Sequence, residues 1–366
     1  MLKTKYILII CLAVVVLFGV KWCRDRLSAP GTTPPITGVD GQSLPGSIAS
    51  LERIDLGGVQ QWILLRGANI DNPVILFLHG GPGAADMTLL PRHMGALEEH
   101  FVVVCWDQRG AGKSFPAART GSDMTINRFV ADVLELTELL CRRFQQEKIY
   151  LVGQSWGSII GVLSVQRNPG RYHAYIGIGQ VVNGSENERL SYEWTLAQAL
   201  ASDDTAAVET LQDIGPLPYE DDLVEKLFAQ RELLGKYGGS IYGNPGGAHG
   251  LFIAGLQGAT EYNTMDKINF IRGLRKSLEL LWPQVLAVNF IEQAPVLEVP
   301  VYLLMGRHDY QTPFALAEQY VDLLEAPRKE LIWFDHSAHM PHLEEPDKFS
   351  DLLINHILPA TCCPDR

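Results

Sequence analysis

Ser155 stands at the centre of Gly153-Gln154-Ser155-Trp156-Gly157, a frame in which a serine can serve as a nucleophile. Before it, Lys148-Ile149-Tyr150-Leu151-Val152 is a short β-branched and apolar run with the character of a buried parallel strand. After it, Ser158 to Gln166 is apolar and small and is closed by Asn168-Pro169-Gly170, which reads as a helix with a stop signal. Gly-x-Ser-x-Gly between a strand and a helix predicts a tight, strained turn that lifts one hydroxyl above the sheet. Glycines are needed on both sides because helix and neighbouring strand approach too closely for side chains.

A serine hydroxyl is a poor nucleophile until a base takes its proton, and that base must be held in one tautomer by an acid. Candidates downstream of Ser155 follow the order acid, then base. Asp309 closes Gly306-Arg307-His308-Asp309, directly after the strand-like Val301 to Met305. Its other reading is a helix cap for a segment starting near Pro313. Leu331 to Phe334 forms a last strand, and the loop after it holds His336, His339 and His342. His339 is favoured as the base because it lies mid-loop, just before Pro341 and the helix start at Glu344-Glu345-Pro346. His336 and His342 then support the loop or face solvent. A metal cluster is the competing reading of three nearby histidines, but no carboxylate–His framework accompanies them. The six cysteines show no Cys-x-x-Cys spacing. Neither a metal nor a cofactor is expected.

Acyl transfer places negative charge on the former carbonyl oxygen, so two backbone N–H donors are required. Trp156 supplies one, directly after the nucleophile. The other falls in His79-Gly80-Gly81-Pro82-Gly83, which follows the strand-like Leu76-Phe77-Leu78, and Gly81 is the candidate.

Elements to position these residues can be read along the chain. Strand patterns run at Ser50–Leu56, Gln60–Arg66, Val74–His79, Phe101–Asp107, Lys148–Val152 and Ala174–Gly179. Helical patterns fall at about 85–99, 125–145 and 155–167. From about 183 to 290 the pattern is helical without strands, as in Glu188–Ser202, Asp204–Asp213, Glu220–Leu234 and Phe270–Leu286. Strand rhythm returns at Val301–Met305 and Glu330–Phe334, with helices at about 313–325 and 346–357. This predicts an α/β chain with an eight-stranded, mostly parallel sheet that opens on an antiparallel hairpin. Residues 48–182 and 291–366 would form its core and 183–290 a helical cap over the carboxyl ends of the strands, where open α/β sheets bind ligands. Eight strands, a nucleophile turn after the fifth and helices after the sixth resemble the α/β-hydrolase fold.

The motifs carry a closer likeness. His79-Gly80-Gly81-Pro82-Gly83, Asp107-Gln108-Arg109-Gly110-Ala111-Gly112-Lys113-Ser114 and Gly153-Gln154-Ser155-Trp156-Gly157 resemble the proline iminopeptidase branch of the α/β-hydrolases. Gly306-Arg307-His308-Asp309 and Ser337-Ala338-His339-Met340-Pro341 look like its acid and base motifs, with Ala338 where a glycine is usual. The resemblance implies a Ser155–Asp309–His339 triad, an acyl-enzyme and an aminopeptidase activity, with Asp107 and Arg109 as scaffold. It also implies cap glutamates that hold the substrate's amino group, commonly in a Trp-x-x-Trp-Glu segment. This chain has Ser191-Tyr192-Glu193-Trp194-Thr195 instead, leaving Glu188, Glu193 and Glu261 as candidates. An esterase or amidase acting on small acyl substrates is the alternative, favoured if the cap pocket is purely apolar. A non-catalytic binding protein would have lost part of the triad, and this chain keeps all three members in order.

Composition bounds the partners. A formal net charge of −12 over 366 residues argues against a nucleic-acid surface. At the N-terminus, Tyr6 to Val20 is an uncharged, almost wholly apolar run between Lys3/Lys5 and Lys21/Arg24/Arg26. Without an obvious small-x-small cleavage site, residues 1–26 read as an uncleaved signal anchor in a membrane, and a cleaved signal peptide is the alternative. A Pro/Gly/Ser/Thr-rich linker follows over 27–47. The expected catalytic domain lies outside the cytoplasm, membrane-anchored, or secreted or periplasmic after cleavage.

Overall fold

The computed structural model describes residues 31–118, 121–219, 221–244 and 247–362. The anchor expectation for residues 1–26 lies outside them. Among the described residues no helix is long and apolar enough to cross a membrane. From Gly31 the chain lies against the globule: Thr32 N–H donates to Thr260 O at 2.9 Å, and Arg66 holds Thr33 Oγ1 at 2.7 Å.

Eight strands form one sheet in the order β1-β2-β4-β3-β5-β6-β7-β8. They are β1 (Ile48–Leu56), β2 (Val59–Gly67), β3 (Val74–Leu78), β4 (Val102–Asp107), β5 (Ile149–Gln154), β6 (Tyr172–Ile178), β7 (Val301–Gly306) and β8 (Lys329–Phe334). The β1/β2 and β2/β4 pairs are antiparallel and all others parallel. Gly57 and Gly58, at φ of 60° and 73°, close the β1–β2 hairpin as a two-residue turn with both positions left-handed. Every residue of β3, β4, β5 and β7 is buried, as strands covered on both faces must be. The expected sheet is the sheet observed.

Two apolar layers flank it. One is built on α1 (Ile126–Phe144) and α2 (Trp156–Arg167), with Phe129, Val133, Leu136, Ile159 and Val162 against the sheet. The other holds Phe77, Phe101, Tyr150, Phe334 and Phe349. One expected helix is not continuous: 85–99 forms two single turns, Leu90–His93 and Gly95–Glu98. Pro91 suits only a first turn and Gly95 weakens a helix interior, so the apolar pattern there serves packing rather than a long helix.

Between β6 and β7 the chain makes α3 (Gly184–Ala201), α4 (Thr205–Ile214), α5 (Leu223–Lys236), α6 (Gly247–Gly258) and α7 (Thr264–Leu286). Asn263 starts α7 with a reciprocal capping box to Asp266, two turns earlier than the sequence pattern begins. This helical insertion is tied to the sheet where α7 starts. Lys113 Nζ reaches Asp266 Oδ2 at 2.7 Å and Glu261 O at 3.0 Å, and Tyr262 OH donates to Asp107.

Candidate active site

Ser155 has φ 52° and ψ −118°, a conformation that costs a non-glycine residue about 1–3 kcal/mol. The surroundings over-determine it. Ser155 N–H donates to Ile178 O at 2.9 Å, and its carbonyl accepts from Ser158 N at 2.8 Å. A Cβ on Gly157 would stand 2.0 Å from Leu78 O, and one on Gly153 2.7 Å from Gly157 O. Both flanking glycines are therefore required by close approach, and helix α2 can start only if they are present.

Asp309 follows β7 and His339 follows β8, so both loops leave the sheet at the edge where β5 delivers Ser155. His339 Nδ1 lies 3.0 Å from Asp309 Oδ2, with both residues fully buried. A carboxylate only accepts, so Nδ1 carries the proton and Nε2 keeps its lone pair. Nε2 has no hydrogen-bond partner among the described residues. The carboxylate is fixed on its other side: Gln311 N and Thr312 N donate to Oδ1 at 2.9 and 2.8 Å, and Thr312 Oγ1 donates to Oδ2 at 2.7 Å. Thr312 thus orients the Asp309 carboxylate, which closes the turn before the helix Phe314–Leu323. That helix has Pro313 at its N-cap and takes no side-chain cap, so Asp309 does not fill the capping role that the sequence offered as the alternative.

The histidine loop has its own supports. Glu344 accepts from Ala338 N, Met340 N and Tyr242 N, and burial pushes its carboxyl above the ordinary range. Gly179, at the end of β6 with φ 52°, lies under the imidazole; a Cβ there would be 2.8 Å from His339 Cε1 and Nδ1. His342 is buried and driven down to about 3 by burial and by His339, whereas Tyr242 stacks on His308 at 4.2 Å and lies tilted 6.1 Å from His336. His339 is the one histidine of the three in contact with Asp309. No group of three His, Cys, Asp or Glu among the described residues could hold a metal ion.

After β3, Gly81 has φ 116° and Gly83 φ 90°, conformations that favour glycine. His79 holds this loop. Its Nδ1 donates to Gly80 O at 2.8 Å and its Nε2 accepts from Gln108 N at 3.2 Å, which fixes a neutral ring. Burial lowers its pKa to about 4. Gln108 also donates from Nε2 to His79 O at 3.0 Å and accepts from Trp156 Nε1 at 2.9 Å. One side chain thereby locks the Gly81 loop to the residue after Ser155. Asp107 and Arg109 build the frame around it. Arg109 makes a two-pronged pair with buried Asp132 at 3.0 and 3.1 Å, and burial pushes Asp107 up to about 7.

Gly81, Ser155 and Trp156 line a cavity of about 110 Å³ whose opposite wall comes from the helical insertion. That wall is mostly apolar, with Leu227, Leu274, Leu278, Trp282 and Val285. Its charged groups are Glu188 and Arg231. Glu188 is buried and receives Arg231 Nη2 at 2.6 Å on each oxygen, with Asn187 Nδ2 at 3.1 Å. Asn187 Oδ1 and Trp282 Nε1 are buried without a partner among the described residues. Glu193 is placed elsewhere, exposed and paired with Arg189 at 2.6 Å. Glu261 is buried at the start of α7, where its carbonyl takes Lys113, and it does not line the cavity. Asn187, Arg231, Thr312 and Gly179 were not singled out from the sequence. Asn187 and Arg231 carry no local motif, whereas Gly177 and Gly179 at a strand end could have signalled a close approach.

The chain matches the family model for the alpha/beta hydrolase fold over residues 73–346. It is 33% identical over 310 residues to a protein described as the probable aminopeptidase YbaC of Bacillus subtilis, covering 85% of this chain and 96% of that one. A proline iminopeptidase of Heyndrickxia coagulans is 24% identical over 284 residues, 76% of this chain and 87% of its own. Among solved structures, the proline iminopeptidase of Mycobacterium smegmatis superposes with a TM-score of 0.62 at 18% identity, over 86% of this chain and 100% of that one. The sheet, the family match and these relatives agree: this chain belongs to the α/β-hydrolases, resembles their proline iminopeptidase branch, and is a hydrolase.

Proposed function

We propose that this chain is a serine hydrolase that works through an acyl-enzyme and acts as an aminopeptidase on short peptides. Ser155 Oγ attacks the scissile carbonyl while His339 Nε2 takes its proton, and Asp309 holds the resulting imidazolium. The oxyanion is met by the N–H groups of Gly81 and Trp156. When the C–N bond breaks, the proton on His339 passes to the leaving amine. Water then attacks the ester, giving a proton to His339, and the acid leaves as Ser155 recovers its proton. The helices at 183–290 act as a cap that walls the site from solvent.

The observation that carries the peptide reading is Glu188, a buried carboxylate lining the same cavity as Ser155. A free α-ammonium bound there gains a charge-assisted hydrogen bond, which an ester substrate lacks. Asn187 Oδ1, buried and without a partner among the described residues, offers a second acceptor beside it. A second reading, an esterase or amidase for small acyl groups, is favoured by the apolar remainder of the wall and by Arg231 neutralising Glu188. Residues 1–26 would hold either enzyme at a membrane, outside the cytoplasm. Turnover of prolyl and other aminoacyl arylamides against short-chain aryl esters, with Ser155→Ala as control, tests the proposal. Preference for arylamides with a free amino group supports the peptidase, and preference for esters the second reading. Unchanged turnover in Ser155→Ala would overturn both.

A further inference from the structure

The surface where the described chain begins has a composition unlike the rest of this acidic protein. Thr32 N–H donates to Thr260 O, and a Cβ on Gly31 would lie 1.7 Å from Glu261 O. The first described residues, Gly31 and Thr32, therefore lie at the junction between α6 and α7. Helix α6, Gly-Ala-His-Gly-Leu-Phe-Ile-Ala-Gly-Leu-Gln-Gly, contains no Asp, Glu, Lys or Arg, yet Ile253 is exposed on it. A helix without charged residues is ordinarily covered.

Helix α7 continues the pattern. Met265, Ile268 and Ile271 recur every three residues on its outer side and are 39%, 45% and 60% exposed. The two helices meet through Phe252 and Phe270, whose rings lie 5.7 Å apart. Between Thr264 and Arg275 the bases are Lys267, Arg272 and Arg275. The only acid in that stretch, Asp266, is turned inward to Lys113. Arg275 pairs with Glu225 at the start of α5, and Arg272 lies 4.6 Å over the Phe115 ring. Lys267 and Arg272 are thus the cations that border these exposed apolar side chains, in a chain whose formal net charge is −12.

Three occupants could cover such a face. Its own apolar segment, Tyr6 to Val20, is flanked by the bases Lys3, Lys5, Lys21, Arg24 and Arg26, like charges to Lys267 and Arg272 on this face. A second copy using the same face would also bring like charges together, across a two-fold axis. An anionic bilayer satisfies both features, taking the apolar side chains at its interface and the cations at its headgroups. Chain length agrees: the eleven residues from Lys21 to Gly31 span at most about 40 Å, so an inserted segment keeps this face close to the bilayer surface. We infer that the outer face of α6 and the first turns of α7 is a docking surface for an anionic lipid bilayer. Ile271 continues along α7 into the stripe of Leu274, Leu278 and Trp282 that walls the cavity, so this face adjoins the cavity, but the inference does not depend on which substrate that cavity takes.

Hydroxyl-radical footprinting of the full chain, before and after addition of phosphatidylcholine vesicles containing about a quarter phosphatidylglycerol, reads this face directly. Labelling of Met265, Ile268 and Ile271 should fall about fivefold on the vesicles, while exposed Leu200 and Leu323 elsewhere keep their labelling. Pure phosphatidylcholine should protect less. In Ile268→Asp/Ile271→Asp, Met265 should lose its protection although the chain still sediments with the vesicles and keeps its turnover. Met265 already shielded without lipid would assign the face to the N-terminal segment or a second copy and overturn the proposal. Full labelling on vesicles, whether or not the chain sediments with them, would also overturn it.

Discussion

Arg231 Nη2 stands 2.6 Å from each carboxylate oxygen of Glu188, so the one carboxylate that lines the Ser155 cavity among the described residues is already paired. An incoming ammonium has to share that charge rather than find it free.

Glu188→Gln separates the two substrate readings. It keeps the shape and a hydrogen-bonding oxygen but removes the charge. For an aminopeptidase, KM for aminoacyl arylamides should rise about 10- to 100-fold, the equivalent of about 1.5–3 kcal/mol for a hydrogen bond to a charged group. Aryl ester kinetics should stay within about twofold. Equal losses on both substrate types would make Glu188 a structural partner of Arg231 instead.

Gly179→Ala tests how tightly His339, the proposed base, is placed. Its Cβ would stand 2.8 Å from the His339 ring, at a φ of 52° that already disfavours alanine. The ring must move, and a misplacement of about 1 Å can cost about 100-fold in kcat. Circular dichroism should show an intact fold, with a stability loss of about 1–2 kcal/mol. A kcat within twofold of wild type would show that the imidazole has room the geometry denies it.

Acid should loosen the Gly81 loop through His79. Its folded pKa, about 4, lies below the ordinary histidine value, so the unfolded chain binds this proton first. Stability from the neutral ring is complete above about pH 6.5 and is lost as pH falls towards 4, about 3 kcal/mol in all. Protonation at Nε2 also ejects the Gln108 N–H that the ring accepts. Urea unfolding of wild type and His79→Asn at pH 7 and pH 4.5 should show the smaller pH effect in the variant. Parallel losses in both proteins would place the acid sensitivity elsewhere, for instance at His342.

The positions of Ser155, Asp309 and His339 were legible because each sits just after a strand, where local residues mark a turn or loop, and the structure brings Asp309 and His339 to 3.0 Å. The cavity wall was not. Glu188 and Glu193 lie five residues apart on one helix, so they point about 140° away from each other. Sequence names both, and only packing decides that Glu188 turns to the cavity while Glu193 pairs with Arg189. Helix α3 mixes apolar and polar residues around its circumference, which erased the periodicity that would have shown its inner face. Helix α6 was missed for a related reason: four glycines and no charged residue leave neither a propensity nor a pattern to read.

The strain at Ser155 can be weighed against its chemistry. Ser155→Gly keeps the backbone at φ 52° and ψ −118° but removes the Cβ that makes this conformation unfavourable. Stability should therefore rise by about 1 kcal/mol, at the lower end of the strain expected for such a residue. Ser155→Ala removes the same hydroxyl and retains the Cβ, so it should gain less. Both should abolish turnover if Ser155 is the nucleophile. Thermal and urea unfolding of the three proteins at one pH decides the matter. Equal stability in the glycine and alanine variants would mean that the turn stores no strain, leaving the flanking glycines to explain its shape through close approach alone.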